Sequence, residues 1–209
     1  FPDTLKSKIF LINPLVKECF YNLKLTNQNK EKFTLLIFGG SQGANIFDKN
    51  LKNSIVSISK KKSIKIIQQT SEKNVPLLKN FYLQNDIESE VFSFEKDFSK
   101  IIEKADLCIT RAGASSLAEL SVISLPFIAI PLPTSKDNHQ FENANFYKDN
   151  ECCWIIEQHE FEEKIEALLV NIIQNKNEYL KKKENLKKLN YQNSWINVNE
   201  KIMEVVNEN

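Results

Sequence analysis

Glycine is scarce in this chain, at four residues in 209, so each one marks a place where the backbone has a special need. Histidine is scarcer, at two, and none of the four cysteines stands in C-x-x-C spacing. No zinc site is expected from such a set. An excess of charge of one sign is also missing. Lys and Arg total 28 against 27 Asp and Glu, a net charge of +1, which removes the electrostatic case for nucleic acid. No apolar run reaches the roughly 18 residues that a membrane-crossing helix needs, and no signal-peptide pattern stands at the start. Methionine occurs once, at Met203, and the chain opens on Phe1; an N-terminal portion is therefore expected to precede it.

What is present implies a packed core. Hydrophobic residues make up 42%, too many for a disordered chain. Cys108, Cys152 and Cys153 lie in apolar, strand-like runs, and the adjacent pair is badly placed to bridge itself. Together with Cys19 they read as reduced core cysteines of a cytosolic protein.

Strand-like and helix-like segments alternate. Apolar runs at 7–12, 33–40, 63–70, 89–94, 106–110, 126–132 and 152–157 read as strands. Between them, Ala44, Phe47, Leu51, Ile55 and Ile58 recur at helical spacing. Further helices are predicted over 75–83, 96–105, 116–124 and 138–150, with two or three more from Phe161 onward; Pro76 is tolerable in a first turn. Near-continuous apolar strands alternating with helices predict an α/β, Rossmann-like parallel sheet with helices on both faces. The chain divides into an entering segment over 1–32, a core over 33–160 and C-terminal helices over 161–209. The lysine-rich stretch "LKKKENLKK" reads as a solvated helix face.

Ligands of such sheets bind beyond the carboxyl ends of the strands. There the loops read "GGSQGA", "QQTSE", "SFEKD", "TRAGASS" and "PTSKDNHQ". The opposite-edge loops "SKKKS", "LQND", "EKA" and "ISL" are plainer. All four glycines fall in two of the former loops: Gly39, Gly40 and Gly43 in one, Gly113 in the other. Glycine serves where φ is positive or where a ligand approaches the backbone closely. Neither GxxxxGK[ST] nor GxGxxG is present. Two helix N-termini, opening near 43 and 116, would aim N–H groups at one anion, such as a diphosphate, without a metal.

Ser116 and Glu119 form S-x-x-E, a capping box. The same glutamate could instead accept two hydrogen bonds from the vicinal hydroxyls of a ribose. The capping reading leaves Arg111, Gly113 and Ser115 unexplained. Gln140 and Asn143 lie three apart on one helix face, suited either to solvent or to sugar hydroxyls; the neighbouring His139 is a weak candidate base.

"GGSQGA", "RAGASSLAE" and "KDNHQFENA", in that order and spacing, resemble the C-terminal domain of the MurG family, the UDP-N-acetylglucosamine transferases that complete the lipid-linked peptidoglycan precursor. The resemblance covers nearly the whole chain and implies the C-terminal, donor-binding half of a two-domain GT-B fold. By motif it implies that Ser41, with Gln42 beside it, contacts the donor and that the backbone at Glu95 meets the uracil. Ala114, Ser115 and Ser116 hold the diphosphate, with Leu117 and Ala118 continuing that helix start. Glu119 takes the ribose, and Gln140 with Asn143 reads the sugar. No cofactor and no metal are implied. The acceptor, a lipid diphosphate, together with the inner membrane surface and the general base, belongs to a missing N-terminal domain, so no catalytic base is expected in this chain. The pattern departs at Val16, where the family's Asn-Pro-x-Arg element has arginine and Lys17 follows, and at Gln68 and Ser71, where His and Gly are frequent. The reaction so implied moves GlcNAc from UDP-GlcNAc to a MurNAc hydroxyl with inversion. Its rivals are a UDP-sugar epimerase of the same architecture, a non-catalytic nucleotide-binding subunit of a split enzyme, and a dinucleotide dehydrogenase, against which the missing GxGxxG speaks.

Overall fold

A computed structural model describes residues 12–23, 31–189 and 193–207, the side chains of 40–44 excepted. The strand expected over 7–12 lies, apart from Ile12, outside the described residues. A short helix α1 (Glu18–Tyr21) leads into β1 (Phe33–Phe38), α2 (Gly40–Asn50), α3 (Lys52–Ser59), β2 (Ile64–Gln69), α4 (Val75–Gln84) and β3 (Glu88–Phe92). The second half runs α5 (Phe98–Ile102), β4 (Leu107–Thr110), α6 (Ala114–Val122), β5 (Phe127–Ala129), α7 (His139–Asp149), β6 (Cys153–Ile155), α8 (Phe161–Gln174), α9 (Lys176–Leu189) and α10 (Trp195–Asn207).

All strand pairs are parallel, in the order β3-β2-β1-β4-β5-β6. The predicted α/β class and the doubly wound sheet are therefore present. The sheet separates two apolar layers. One, against α6 and α7, contains Leu36, Cys108, Leu117, Leu120, Phe127 and Tyr147. The other, against α2, α3 and α8, contains Ile37, Phe47, Ile55, Ile109, Phe161 and Leu169. Alternate residues of β1 and β4 feed opposite layers, as the two-residue period of a strand requires.

Several boundaries move. Of the predicted apolar stripe, the Ala44 side chain lies outside the described ones, and Phe47, Leu51, Ile55 and Ile58 are buried as predicted, but they belong to two helices that break at Leu51. The strand expected over 126–132 ends at Ala129. Ile130 N–H still reaches the Thr110 carbonyl at 2.8 Å, after which Pro131 has no N–H to continue the ladder. On α9 the lysine run is partly engaged: Lys181 pairs with Glu151 at 2.8 Å, Lys182 lies 4.7 Å from the Trp154 ring centroid, and Lys183 is buried.

Cys108, Cys152 and Cys153 are buried and free, whereas Cys19 is exposed. Burial pushes the thiols of Cys152 and Cys153 up to about 11 and about 12. They fill space and are poor nucleophiles.

Candidate functional site at the carboxyl edge

Because every strand is parallel, the loops after β1, β2, β3, β4 and β5 share one edge of the sheet. The chain winds outward from β1 to β3, then returns to place β4 on the other side of β1. The crevice between β1 and β4 is thus the point where strand order reverses, and open α/β sheets bind ligands there. Phe38 and Thr110 are register partners at its mouth. Immediately beyond them α2 starts at Gly40 and α6 at Ala114, on opposite faces of the sheet.

These starts differ from the expected ones near 43 and 116, and the difference removes the capping role expected of Glu119. Gly113 is the N-cap of α6, and its carbonyl accepts the first helical bond, from Leu117 N–H at 3.0 Å. Ser116 therefore sits inside the first turn, and no side chain caps the helix. The capping box does not form. Glu119 is left half-buried, with its carboxyl group pushed above the usual range by burial and drawn back by the charge of Lys17. Leu117 and Ala118 point into the core, so of the helix-start residues Ala114, Ser115 and Ser116 face outward. Their N–H groups, like those of 40–42 in α2, have no partner within their own helix.

A missing side-chain cap does not distinguish α2 and α6, since none of the helices from α1 to α8 has one. The cap residue does: Gly39 for α2 and Gly113 for α6, against Leu51, Asn74, Asp97, Asn138 and Glu160 elsewhere along α3 to α8. Positive φ is not the reason, because φ is −128° at Gly39 and −68° at Gly113. A Cβ built on Gly113 would meet only Ser116 Oγ, at 3.9 Å. The protein itself therefore has room for a side chain at Gly113, which also leaves space for close approach of a ligand.

The loop before α6 is clamped from both faces. On one side Gln140 Oε1 accepts N–H bonds from Ala112 at 3.2 Å and from Leu132 at 3.0 Å. Asn143 Nδ2 donates to the Ala112 carbonyl at 3.0 Å. Among the described residues Gln140 Nε2 and Asn143 Oδ1 have no partner. On the other side Arg111 runs beneath the rim. Its Nη1 donates to the carbonyls of Ile130 and Pro131, at 3.2 and 3.4 Å, and its Nη2 to Gln158 Oε1 at 2.7 Å.

The loop after β5 contains two left-handed non-glycine residues, Asp137 (φ 49°) and Asn138 (φ 55°), residue types that tolerate this region. His139 is exposed, with Nδ1 2.7 Å from the Lys136 carbonyl. Glu95 is exposed, its Oε1 accepting from Asp97 N–H at 3.0 Å. The side chains of Ser41 and Gln42 lie outside the described ones, and Gly40 and Gly43 contribute backbone within the first turn of α2. Val16 is a core residue at 1% exposure, and the neighbouring Lys17 is the residue of the entering segment whose charge acts on Glu119.

Sequence reasoning missed two features. Phe94 stands 78% exposed in the loop after β3; "SFEKD" contains it, but only exposure separates a platform from a core residue. Asp48 is buried on α2 and accepts from Gln68 Nε2 (2.8 Å), Thr70 Oγ1 (2.6 Å) and Asn74 Nδ2 (2.8 Å). That network, with Tyr82 O–H donating to Gln68 Oε1, accounts for glutamine at 68. It couples the loop after β2 to the helix of the glycine loop.

Residues 34–195 match the glycosyltransferase family 28 C-terminal domain. The chain belongs to this family. As a family 28 domain it is 49% identical over 210 residues to the UDP-N-acetylglucosamine--N-acetylmuramyl-(pentapeptide) pyrophosphoryl-undecaprenol N-acetylglucosamine transferase of Pelagibacter ubique (strain HTCC1062), a match covering 100% of this chain and 59% of that protein. The protein of the same name from Rickettsia canadensis (strain McKiel) is 40% identical over 162 residues, covering 75% of this chain and 46% of the relative. Among solved structures, Acinetobacter baumannii MurG superposes with a TM-score of 0.77 at 21% identity, over 100% of this chain and 59% of that one. A UDP-GlcNAc 2-epimerase from Neisseria meningitidis gives 0.57 at 14% identity, over 87% and 45%. This family 28 domain thus has the architecture of the C-terminal half of a GT-B fold, and it spans about half the length of these relatives.

Proposed function

We propose that this chain binds UDP-N-acetylglucosamine as the donor half of an inverting hexosyltransferase, which passes GlcNAc to the C4 hydroxyl of MurNAc in a lipid-diphosphate acceptor. The observation that carries the reading is the pair of glycine-capped helix starts, Gly39–Gly40 and Gly113–Ala114, on either side of the Phe38–Thr110 pair. Two sets of N–H groups and two positive dipole ends meet one anionic group there. The names of the 49% and 40% identical relatives point to the same donor and reaction.

In this reading the diphosphate lies against the N–H groups of 40–42 and 114–116. The base stacks on Phe94 beside the Glu95 backbone, and the Glu119 carboxylate accepts from the ribose hydroxyls. Gln140 Nε2 and Asn143 Oδ1 face the sugar. As the anomeric carbon is attacked, negative charge grows on the departing diphosphate, and donors already in place stabilise it without reorganising. Activation of the acceptor hydroxyl is assigned to the remainder of the enzyme, since this chain spans 59% of the length of the Pelagibacter relative. An exposed apolar face on α10 (Trp195, Ile196, Ile202, Met203, Val206) offers that part a docking surface. The enzyme works at the inner face of the plasma membrane, where the lipid acceptor is.

Calorimetric titration with UDP-GlcNAc, UDP-GalNAc and UMP tests the donor assignment. UDP-GlcNAc should bind most tightly; the absence of heat from any uridine nucleotide at about millimolar concentration, the weak end of specific affinities, would overturn it. Product analysis of the full-length enzyme separates transfer, which yields a glycosylated lipid, from epimerisation, which yields a free 2-epimer.

A further inference from the structure

Arg111 is the single arginine of the chain; every other one of its 28 basic residues is lysine. It is also among the most buried charged groups, at 8% exposure. A protein that uses lysine at every exposed basic position has kept the guanidinium fork at one interior position.

The surroundings of that fork are neutral. Its acceptors are the carbonyls of Ile130 and Pro131 and the amide oxygen of Gln158. The Phe47 ring of α2 lies 5.6 Å from Cζ. Nε is buried and has no acceptor. Among the described residues no carboxylate pairs with it. Burial alone opposes its charge and lowers its pKa from the ordinary arginine value, yet arginine remains protonated in proteins. A buried charge without a counter-charge is strongly unfavourable, and a packing role would be met as well by a neutral side chain.

The position resolves this. Arg111 directly follows Thr110, the register partner of Phe38, and precedes the Gly113 cap by two residues. Its backbone therefore lies at the mouth of the crevice flanked by the two helix starts, and its side chain reaches from there beneath the rim to Ile130, Pro131 and Gln158. We propose that Arg111 is the buried counter-charge of the donor's diphosphate, a positioning residue that acts through the low-dielectric rim and through its grip on Ile130, Pro131 and Gln158. This rests on the donor reading above and adds to it: charge recognition is divided between backbone N–H groups at the surface and one guanidinium below. Because the guanidinium is shielded from solvent, its effect should persist at high salt, unlike that of surface lysines.

The test compares uridine, which lacks phosphate, with UDP. In Arg111→Met the affinity for UDP should fall about tenfold or more while that for uridine changes less than about twofold, so the UDP-to-uridine ratio collapses. Arg111→Lys, which keeps the charge but loses the fork, should retain most of the ratio even if it melts earlier. The unmodified protein supplies a second readout that needs no variant. Its lone arginine gives one Nε–H resonance, which UDP should shift and uridine should leave in place. Equal loss of UDP and uridine in Arg111→Met would show a merely structural role and overturn the inference, as would an Nε–H resonance indifferent to UDP. If the unmodified protein binds neither ligand, the donor reading itself falls and this inference falls with it.

Discussion

Gln140 offers a test in which one side chain's two ends do different work. Two N–H groups, from Ala112 and Leu132, point at the same atom, so that atom must be the carbonyl oxygen and Nε2 must be the free end. Gln140→Leu removes the shared acceptor and leaves two partly buried donors unsatisfied. At about 1 to 3 kcal/mol each, and toward the low end because the site is partly open, the loss is about 2 to 3 kcal/mol. For a domain of this size that lowers Tm by roughly 5 to 10 °C. Gln140→Glu keeps an acceptor in place and removes only the Nε2 donor. Its Tm should stay within about 2 °C of the parent, since neither N–H loses its partner. A new negative charge beside a diphosphate weakens UDP and UDP-GlcNAc alike, so the ratio of their affinities isolates the sugar contact. Losing one neutral donor to a sugar hydroxyl should reduce that ratio about three- to tenfold. Scanning calorimetry gives the first quantity and titration calorimetry with both ligands the second. A ratio unchanged in Gln140→Glu would show that the amide holds the loop and does not read the sugar.

Three other perturbations separate fold from function. Gly113→Ala should change Tm little, because the gain of about 0.4 to 1 kcal/mol from a stiffer unfolded chain is opposed by the poorer N-cap that alanine makes, while φ is −68° and the added Cβ meets only Ser116 Oγ at 3.9 Å; UDP affinity should nevertheless drop, and unaltered affinity would remove the reason given for glycine there. Phe94→Ala, at a residue 78% exposed, should be neutral to melting yet weaken uridine by about 1 to 3 kcal/mol if a base stacks on it. Glu119 links binding to pH. Burial raises its pKa in the folded state, so the folded protein holds this proton more tightly than the unfolded chain, and stability from this group is lost as pH rises from the ordinary carboxylate range through the raised value. Ribose hydroxyls donate to the ionised form, so uridine affinity should rise over the same interval. Glu119→Gln should abolish both slopes, and Lys17→Met should move both to higher pH; slopes that survive in Glu119→Gln would place the titrating group elsewhere.

The sheet was legible because its strands are apolar throughout. A strand buried on both faces needs no polar alternation, and runs such as "FTLLIF" and "DLCIT" announce themselves by composition alone. Parallel pairing then fixed which loops share an edge, so the gathering of "GGSQGA", "TRAGASS" and "PTSKDNHQ" followed from topology. The ends of elements were less legible. The S-x-x-E pattern suggested a helix opening at Ser116, but the Gly113 carbonyl accepts the first helical bond, and a pattern of four residues carries no record of which carbonyl that is. Gln140 and Asn143 were correctly seen as one face of a helix; that this face grips the Ala112 peptide, 28 and 31 residues earlier in the chain, is a tertiary fact. Val16 looked like the loss of a charge, whereas burial shows a core position next to a basic residue whose charge acts on Glu119.

The segment from Arg111 to Gly113 is held in a way that bears on rate as well as affinity. Arg111 anchors it to the layer of α2 and α8, through Phe47, Ile130, Pro131 and Gln158. Ala112 is fixed from the opposite layer by two side chains of α7. A loop fixed through both faces of the sheet has little freedom to relax toward a ligand, and its N–H groups keep their aim whether or not an anion is present. In water the same dipoles would have to be turned toward the growing charge of a departing diphosphate at each turnover; on the donor reading proposed above, that reorganisation is completed on folding. Loosening either clamp should therefore reduce kcat of the full-length enzyme more than it weakens binding of UDP-GlcNAc, because the ground-state diphosphate can recruit water where the transition state, with more charge at the leaving oxygen, depends on donors already in position. An Asn143→Ala enzyme in which only KM changed would contradict that order.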